Sequence, residues 1–274
     1  MASKPRRSPA RSRVDFGSLI GAPLAIGLIL IGQAIEGGSV RSLLQVAAAL
    51  VVFGGTAGAV LLSYGSADVI TAVRSVRAAY ADSLEPAAAV ITRVLAYANR
   101  ARRTGILSLE AELEAEPDPF LRRALRLAVD GSSQSQIRHA LELEMELLAD
   151  REDVPARVFE SAGGYAPTIG ILGAVIGLIH VMGNLTDPAK LGSGVAVAFV
   201  ATIYGVGSAN LIFLPIGSRF RARALRNARR REAVLEGVMA IQEGLNPRLI
   251  DQKLRGLLGL DGPQPRSGLS GRAA

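Results

Sequence analysis

Four stretches of this chain, Phe16–Ile35, Leu43–Ser63, Gly163–Met182 and Gly194–Ile216, contain no Asp, Glu, Lys or Arg. Each is roughly 20 residues long. At about 1.5 Å of rise per residue, a helix of that length crosses the roughly 30 Å hydrocarbon layer of a bilayer. Soluble cores bury apolar helices too, but four uncharged runs are more than a 274-residue soluble chain has use for. There is no Trp, and aromatic residues make up only 4% of the chain, so the apolar content sits in aliphatic runs. The pattern predicts a membrane protein.

The first run follows a basic stretch, Lys4 to Arg13, as the h-region of a signal peptide does. Its apolar part is longer than the 7–15 residues of a cleaved segment, and a second run follows within a few residues. It therefore reads as a retained first span, although Gly32-Gln33-Ala34 resembles a weak cleavage site.

Basic residues set the orientation. Five Lys or Arg precede span one, twelve lie between spans two and three, and twelve follow span four. The two remaining connections hold only Arg41 and Lys190. The positive-inside rule then puts both termini and the long middle segment in the cytoplasm. The formal charge of +7 is thus topological, with anionic lipid headgroups rather than nucleic acid as its partner.

Between spans two and three, Val69, Ile70, Val73, Val76 and Tyr80 fall at helical spacing, as if the second span continued into the cytoplasm. Asp118-Pro119 reads as an N-cap with proline in the first turn, and Gly131 as the close of that helix. Ile137, Leu141, Met145 and Leu148 then mark one face of a helix leading to span three. After span four comes a basic helix from Arg219 to Arg231, and Asn246-Pro247 opens an amphipathic one with Leu249, Ile250, Leu254 and Leu257 on its apolar side. Together these predict an all-α membrane protein. Four transmembrane helices flank a helical cytoplasmic domain between the second and third, and a helical cytoplasmic tail follows the fourth. The expected segments are a basic tail (1–15), spans one and two (16–64), the cytoplasmic domain (65–160), spans three and four (161–217), the tail helices (218–258) and a disordered end (259–274).

No phosphate-binding loop, dinucleotide fingerprint, nucleophile elbow or metal-binding His pair is present, and there is no Cys. The sequence supports neither an enzyme, nor a catalytic or metal site, nor an organic cofactor. An ion-moving protein usually carries an acid within the membrane, despite a cost of about 2.5–3.5 kcal/mol at a helix centre. These spans hold none. Either the protein moves no ions, or another chain supplies the carboxylate. Glycines at 163, 164, 170, 173, 177, 205 and 207 let helices approach closely, within the chain or around a partner helix. Pro167 and Pro215 each remove a helical hydrogen bond, which kinks a helix interior but costs little in a first or last turn.

The segment GGYAPTIGILGAVIGLIHVMGNL from Gly163, followed by VAVAFVATIYG and ANLIFLP, closely resembles the MotA/PomA family of flagellar stator subunits. DFGSLIG, FGGTAGA, DPFLRRAL, AVDG and AIQEGLNPR extend the likeness, in order, across residues 15–258. The resemblance implies a stator A subunit of the bacterial flagellar motor, a pentamer around two copies of a MotB-type B subunit. In that family the B subunit's single span carries the ion-binding aspartate, and the complex turns ion flow into torque on the rotor switch protein. Carried over by motif, Pro167 and Pro215 match the two channel prolines and Thr202 a threonine on the ion path. The R-x-x-G-x-x-S-L-E pattern places Arg102 and Glu110 at the rotor-contacting charges. Sodium-type members carry hydroxyls where this chain has Ala174, and many members have a second threonine at Ala201. A hard cation needs oxygen ligands, so their absence favours H⁺ over Na⁺ as the coupling ion.

Two other classes share parts of this pattern. An ExbB/TolQ-type subunit, energising outer-membrane processes, has three spans and a different tail; a non-conducting scaffold would not need polar, proline-bearing spans. The orientation predicts that a reporter fused after Ile250 is active in the cytoplasm, and one inserted near Asp187 in the periplasm. Periplasmic activity of the first fusion would overturn it.

Overall fold

The computed structural model describes residues 13–14, 16–82, 86–183 and 188–260. Helix dominates. In chain order the helices are α1 (Phe16–Ile35), α2 (Val46–Ala49), α3 (Gly55–Ser63), α4 (Ser66–Tyr80), α5 (Ala87–Thr104), α6 (Glu110–Leu113), α7 (Pro119–Val129), α8 (Gln134–Met182), α9 (Pro188–Ser208), α10 (Leu214–Gln242) and α11 (Pro247–Leu258). A π turn, Leu50–Gly54, joins α2 to α3, and a second, Ala209–Phe213, joins α9 to α10. The extended pairing among the described residues is two residues long on each side, Arg13–Val14 antiparallel to Ala81–Asp82. The expected ends at 1–12 and 261–274, and the 184–187 connection, lie outside the described residues.

Three helical stretches are long and apolar enough to cross a membrane: Val40–Ser63, Gln134–Met182 and Gly194–Gln242. That count is of the described residues, among which the apolar helix at the amino end is shorter, Ile20–Ile35. Large apolar side chains such as Leu28, Ile31, Ile171, Ile179 and Phe199 are more than half exposed. Contiguous exposure of this kind calls for lipid or partner protein rather than water.

The chain forms two compact units. The first comprises residues 1–83 and 150–224, the second 84–149 and 225–274. In the first, Ala48 and Val52 pack on Val200 and Ala201, and a second cluster gathers Val60, Ala156, Phe159, Ala162 and Phe220. Helix α4 does not continue α3. Tyr64 is extended (φ −130°, ψ 137°) and ends α3, and the chain turns at Gly65 before α4 begins. The apolar spacing of Val69, Val76 and Tyr80 is real, and these residues pack on the second cluster. Ile70 and Val73 are exposed.

The second unit has one core, into which α5, α7, α11 and parts of α8 and α10 send Val94, Leu121, Leu125, Ile137, Val238, Ile250 and Leu254. Its punctuation follows the sequence. The Asp118 carboxylate accepts from the Phe120 and Leu121 amides with Pro119 in the first turn, and Gly131 (φ +78°) follows α7. Asn246 caps α11 through the Arg248 amide. Leu249 and Leu257, placed on the apolar side by spacing, are instead exposed.

A charge cluster closes this core between α8, α10 and α11. Glu236, mostly buried, accepts from Arg138 Nη2 at 3.0 Å and from Lys253 Nζ at 2.5 Å. Burial alone would raise its pKa, but hydrogen bonds from Lys253 and Arg138 overcome that and hold the carboxyl below its ordinary value. Its contribution to stability is therefore present above the unfolded glutamate pKa of about 4.3, and is lost as pH falls through the lower folded value. Glu236→Gln should destabilise this unit by about 1 kcal/mol at pH 7, discounted for its exposed partners. It should also flatten the loss of stability below about pH 4. Thermal unfolding of the detergent-solubilised protein at pH 7 and in acid checks both; an unchanged acid slope would show that another carboxylate controls it.

Candidate functional site

Helices α8 and α9 lie antiparallel and unusually close, because glycines face each other where side chains would not fit. A Cβ on Gly205 would stand 2.5 Å from the Ala166 carbonyl oxygen, and one on Gly170 would stand 3.1 Å from the Gly205 Cα. Further along the seam, a Cβ on Gly173 would meet Ala201 Cβ at 2.9 Å, and one on Gly177 the Ala198 amide nitrogen at 2.9 Å. These four glycines are consumed by packing within the chain. Gly164 and Gly207 have open space where a Cβ would be.

Pro167 lies inside the 49-residue α8, far from either end. It cannot donate to the Gly163 carbonyl four residues earlier. Gly163 in turn packs on Leu214, the residue before Pro215: a Cβ there would be 2.6 Å from Leu214 Cδ2. The two proline turns therefore abut. Pro215 is the second residue of α10 and follows the π turn, in which the Leu214 amide reaches back five residues to Ala209. A widened turn relieves the clash between the Pro215 ring and the Leu211 carbonyl, which explains why the helix deforms there. Both prolines lie within continuous helix, Pro167 inside α8 and Pro215 directly after the π turn.

Thr202 on α9 is half-buried, and its hydroxyl donates weakly to the Ala198 carbonyl at 3.4 Å. By the register of the seam it lies level with Ala174, also half-buried. Ala201 is fully buried against Gly173. The structure thus gathers Pro167, Ala174, Thr202 and Pro215 into the α8, α9 and α10 part of the first unit.

Arg102 and Glu110 belong to the second unit. Arg102 is in the last turn of α5 and Glu110 opens α6, with Gly105 (φ +83°) turning the chain between them. Both are exposed, and neither forms an ion pair among the described residues. The segment that carries them is held firmly. Leu109 and Leu113 are buried, Arg100 pairs with Glu112, and Arg126 reaches Glu114 at 2.6 Å. Behind the segment, the buried Glu116 accepts from Tyr97 Oη at 2.9 Å and lies 3.2 Å from Arg93 Nε. Burial and that hydrogen bond push the Tyr97 phenol up to about 12.

Sequence reasoning missed the tyrosine ties. Tyr204 Oη donates to the Leu43 carbonyl (2.5 Å) and accepts from the Gln45 amide (3.3 Å), satisfying backbone where the Val40–Leu43 turn gives way to α2. Tyr165 Oη is 2.9 Å from Ser63 Oγ. Tyr64 Oη donates to the Arg157 carbonyl at 3.2 Å and shares a 2.7 Å hydrogen bond with Ser161 Oγ. The signal available was tyrosine hydroxyls at the edges of apolar runs, Tyr64 and Tyr165, and within one, Tyr204.

The sequence profile of the MotA/TolQ/ExbB proton channel family matches residues 112–233. Motility protein A of Bacillus subtilis is 34% identical over 242 residues, 88% of this chain and 90% of that protein. The chemotaxis protein PomA of Vibrio alginolyticus is 30% identical over 245 residues, 89% of this chain and 96% of that one. Among solved structures, C. jejuni MotAB superposes with a TM-score of 0.84 at 29% identity, covering 91% of this chain and 98% of that one. The flagellar MotAB stator complex of Bacillus subtilis superposes at 0.80 and 34%, covering 88% and 96%.

The seam gives a direct test. Gly205→Ala forces a methyl against the Ala166 backbone, and overpacking of this kind costs about 1–3 kcal/mol. The variant should unfold in detergent several degrees below wild type, whereas Gly164→Ala, with open space, should not. Equal melting of the two would refute the seam as the stabilising contact.

Proposed function

The chain belongs to the MotA/PomA family of stator A subunits within the MotA/TolQ/ExbB proton channel family, and from that premise we infer how it divides ion conduction with its partner. The protein is a membrane-embedded stator subunit of the bacterial flagellar motor, acting in motility with a MotB-type B subunit and in an oligomer. It is a channel component and not an enzyme. The observation that carries the finer reading is the missing carboxylate: a proton-channel family member whose four apolar runs hold no Asp or Glu must take its ion-binding acid from another chain.

In this reading α1 is the fourth membrane span, both termini face the cytoplasm of the inner membrane, and anionic lipid neutralises the flanking arginines. Five copies surround two B subunits, whose aspartates bind the ion. Pro167, Thr202 and Pro215 line or flex the path, and Ala174 withholds the hydroxyl that a sodium site would use. H⁺ is the coupling ion. Arg102 and Glu110, exposed on a firmly held segment, meet complementary charges on the rotor switch protein, where charge steers engagement more than it adds affinity.

Vesicles holding this chain alone should show no proton or sodium flux. Coexpression with the B subunit should give proton flux that disappears when the partner's aspartate is changed to Asn. Motility should persist without sodium and collapse with a protonophore. Arg102→Glu or Glu110→Lys should abolish swimming while leaving membrane level and flux near normal, since exposed pairs contribute only about 0–1 kcal/mol to folding. Robust flux from the chain alone, or speed that follows external sodium, would overturn the respective part of the reading.

A further inference from the structure

Two turns from Pro167 along α8, at the polar edge of the apolar runs, α8 meets α10 a second time. A Cβ on Gly217 would stand 3.0 Å from Glu160 Cγ and 3.3 Å from the Ala156 carbonyl oxygen, so the backbones are close. Phe159 and Phe220 stack beside this contact, with centroids 5.9 Å apart and planes at 18°. On the adjoining face Arg221 grips Glu160 with two parallel hydrogen bonds, Nε to Oε1 at 2.8 Å and Nη2 to Oε2 at 2.7 Å. Asp153 lies 3.8 Å from the remaining Arg221 nitrogen.

The glycine contact and the stacked rings already hold these helices together. The ion pair is partly exposed, 34% for Glu160 and 55% for Arg221, and a pair in such a setting adds little to stability. What a two-pronged guanidinium–carboxylate contact does supply is orientation, because its planar fork fixes rotation and register as well as distance. Its position gives that a use. Glu160 is seven residues from Pro167, about 10 Å along the helix, and Arg221 is six residues from Pro215. On one side of the pair lie the turns that proline and the π turn have loosened. On the other, both helices run on, α8 past a further proline, Pro155, back to Gln134 and α10 on to Gln242.

We propose that Glu160 and Arg221 form a coupling clasp that makes α8 and α10 turn together, so that a bend arising at the two prolines passes along both helices instead of being lost as slip between them. They are positioning residues, neither binding the ion nor touching the rotor. The proposal rests on the stator reading. Its signature is a loss of torque for a given ion flow.

The test uses the full chain with its B subunit in cells lacking their own A subunit, and reads stall torque of a tethered bead alongside proton conductance and membrane abundance. Glu160→Gln and Arg221→Gln should leave abundance and conductance within about twofold of wild type while lowering stall torque per unit conductance two- to fivefold. The double variant should be no worse than either single one. Arg221→Lys, which keeps the charge but not the fork, should fall between. An unchanged torque-to-conductance ratio, or torque and conductance falling in proportion, would overturn the clasp while leaving the stator reading intact. Failure of the wild-type chain to give torque or conductance with the B subunit would overturn the stator reading itself.

Discussion

The close approach of α8 and α9 is the contact on which the membrane part of the molecule depends. In lipid, apolar side chains gain nothing from leaving water, so helix association must come from packing and from satisfied polar groups. With no Cβ at 170, 173, 177 or 205, backbone meets backbone or a single methyl along the seam. Everything else is placed relative to that. Span two lies against the seam through Ala48 and Val52, Tyr204 ties its first turn to α9, and the register of the seam sets Thr202 level with Ala174. A chain using larger residues here would separate the helices and move both proline turns apart.

Proline in such a bundle is tolerated only where the freed backbone finds another arrangement. The two prolines use different ones. Pro167 is absorbed within a long helix whose neighbour is glycine-rich, whereas Pro215 follows a turn already widened to five-residue spacing. Because Gly163 packs on Leu214, the two weakened turns share one contact, and a deformation of either is felt by the other. This adjacency makes the pair a single mechanical element.

Much of this was legible in the chain. Uncharged runs announced the apolar helices, Asp118-Pro119 and Asn246-Pro247 announced helix starts, and a coherent series of motifs announced the family. Three kinds of feature were not. The break at Tyr64 was hidden because the apolar spacing on its two sides stays in phase, so periodicity alone reads as one helix. Periodicity also cannot tell a face toward the core from a face toward lipid or a partner, as Leu249 and Leu257 show, on the apolar side by spacing yet exposed. The fate of the glycines and the bridge from Glu160 to Arg221, 61 residues apart, depend on which helices become neighbours, and that is a tertiary fact.

The geometry also changes the weight of the argument for protons. Two alanines stand where hydroxyls would favour sodium, and from sequence they count equally. In the structure they do not. Ala201 is fully buried between α8 and α9, against Gly173, where a methyl already fills the space. A threonine there would press its added group into the seam. Thr202, one residue and about 100° further round the helix, is half-buried on a different side. Ala174 differs, because it is half-buried and level with Thr202 along the seam. Substituting a hydroxyl residue at Ala174 is the change that would add an oxygen to this part of the bundle without disturbing the glycine contacts that hold it together.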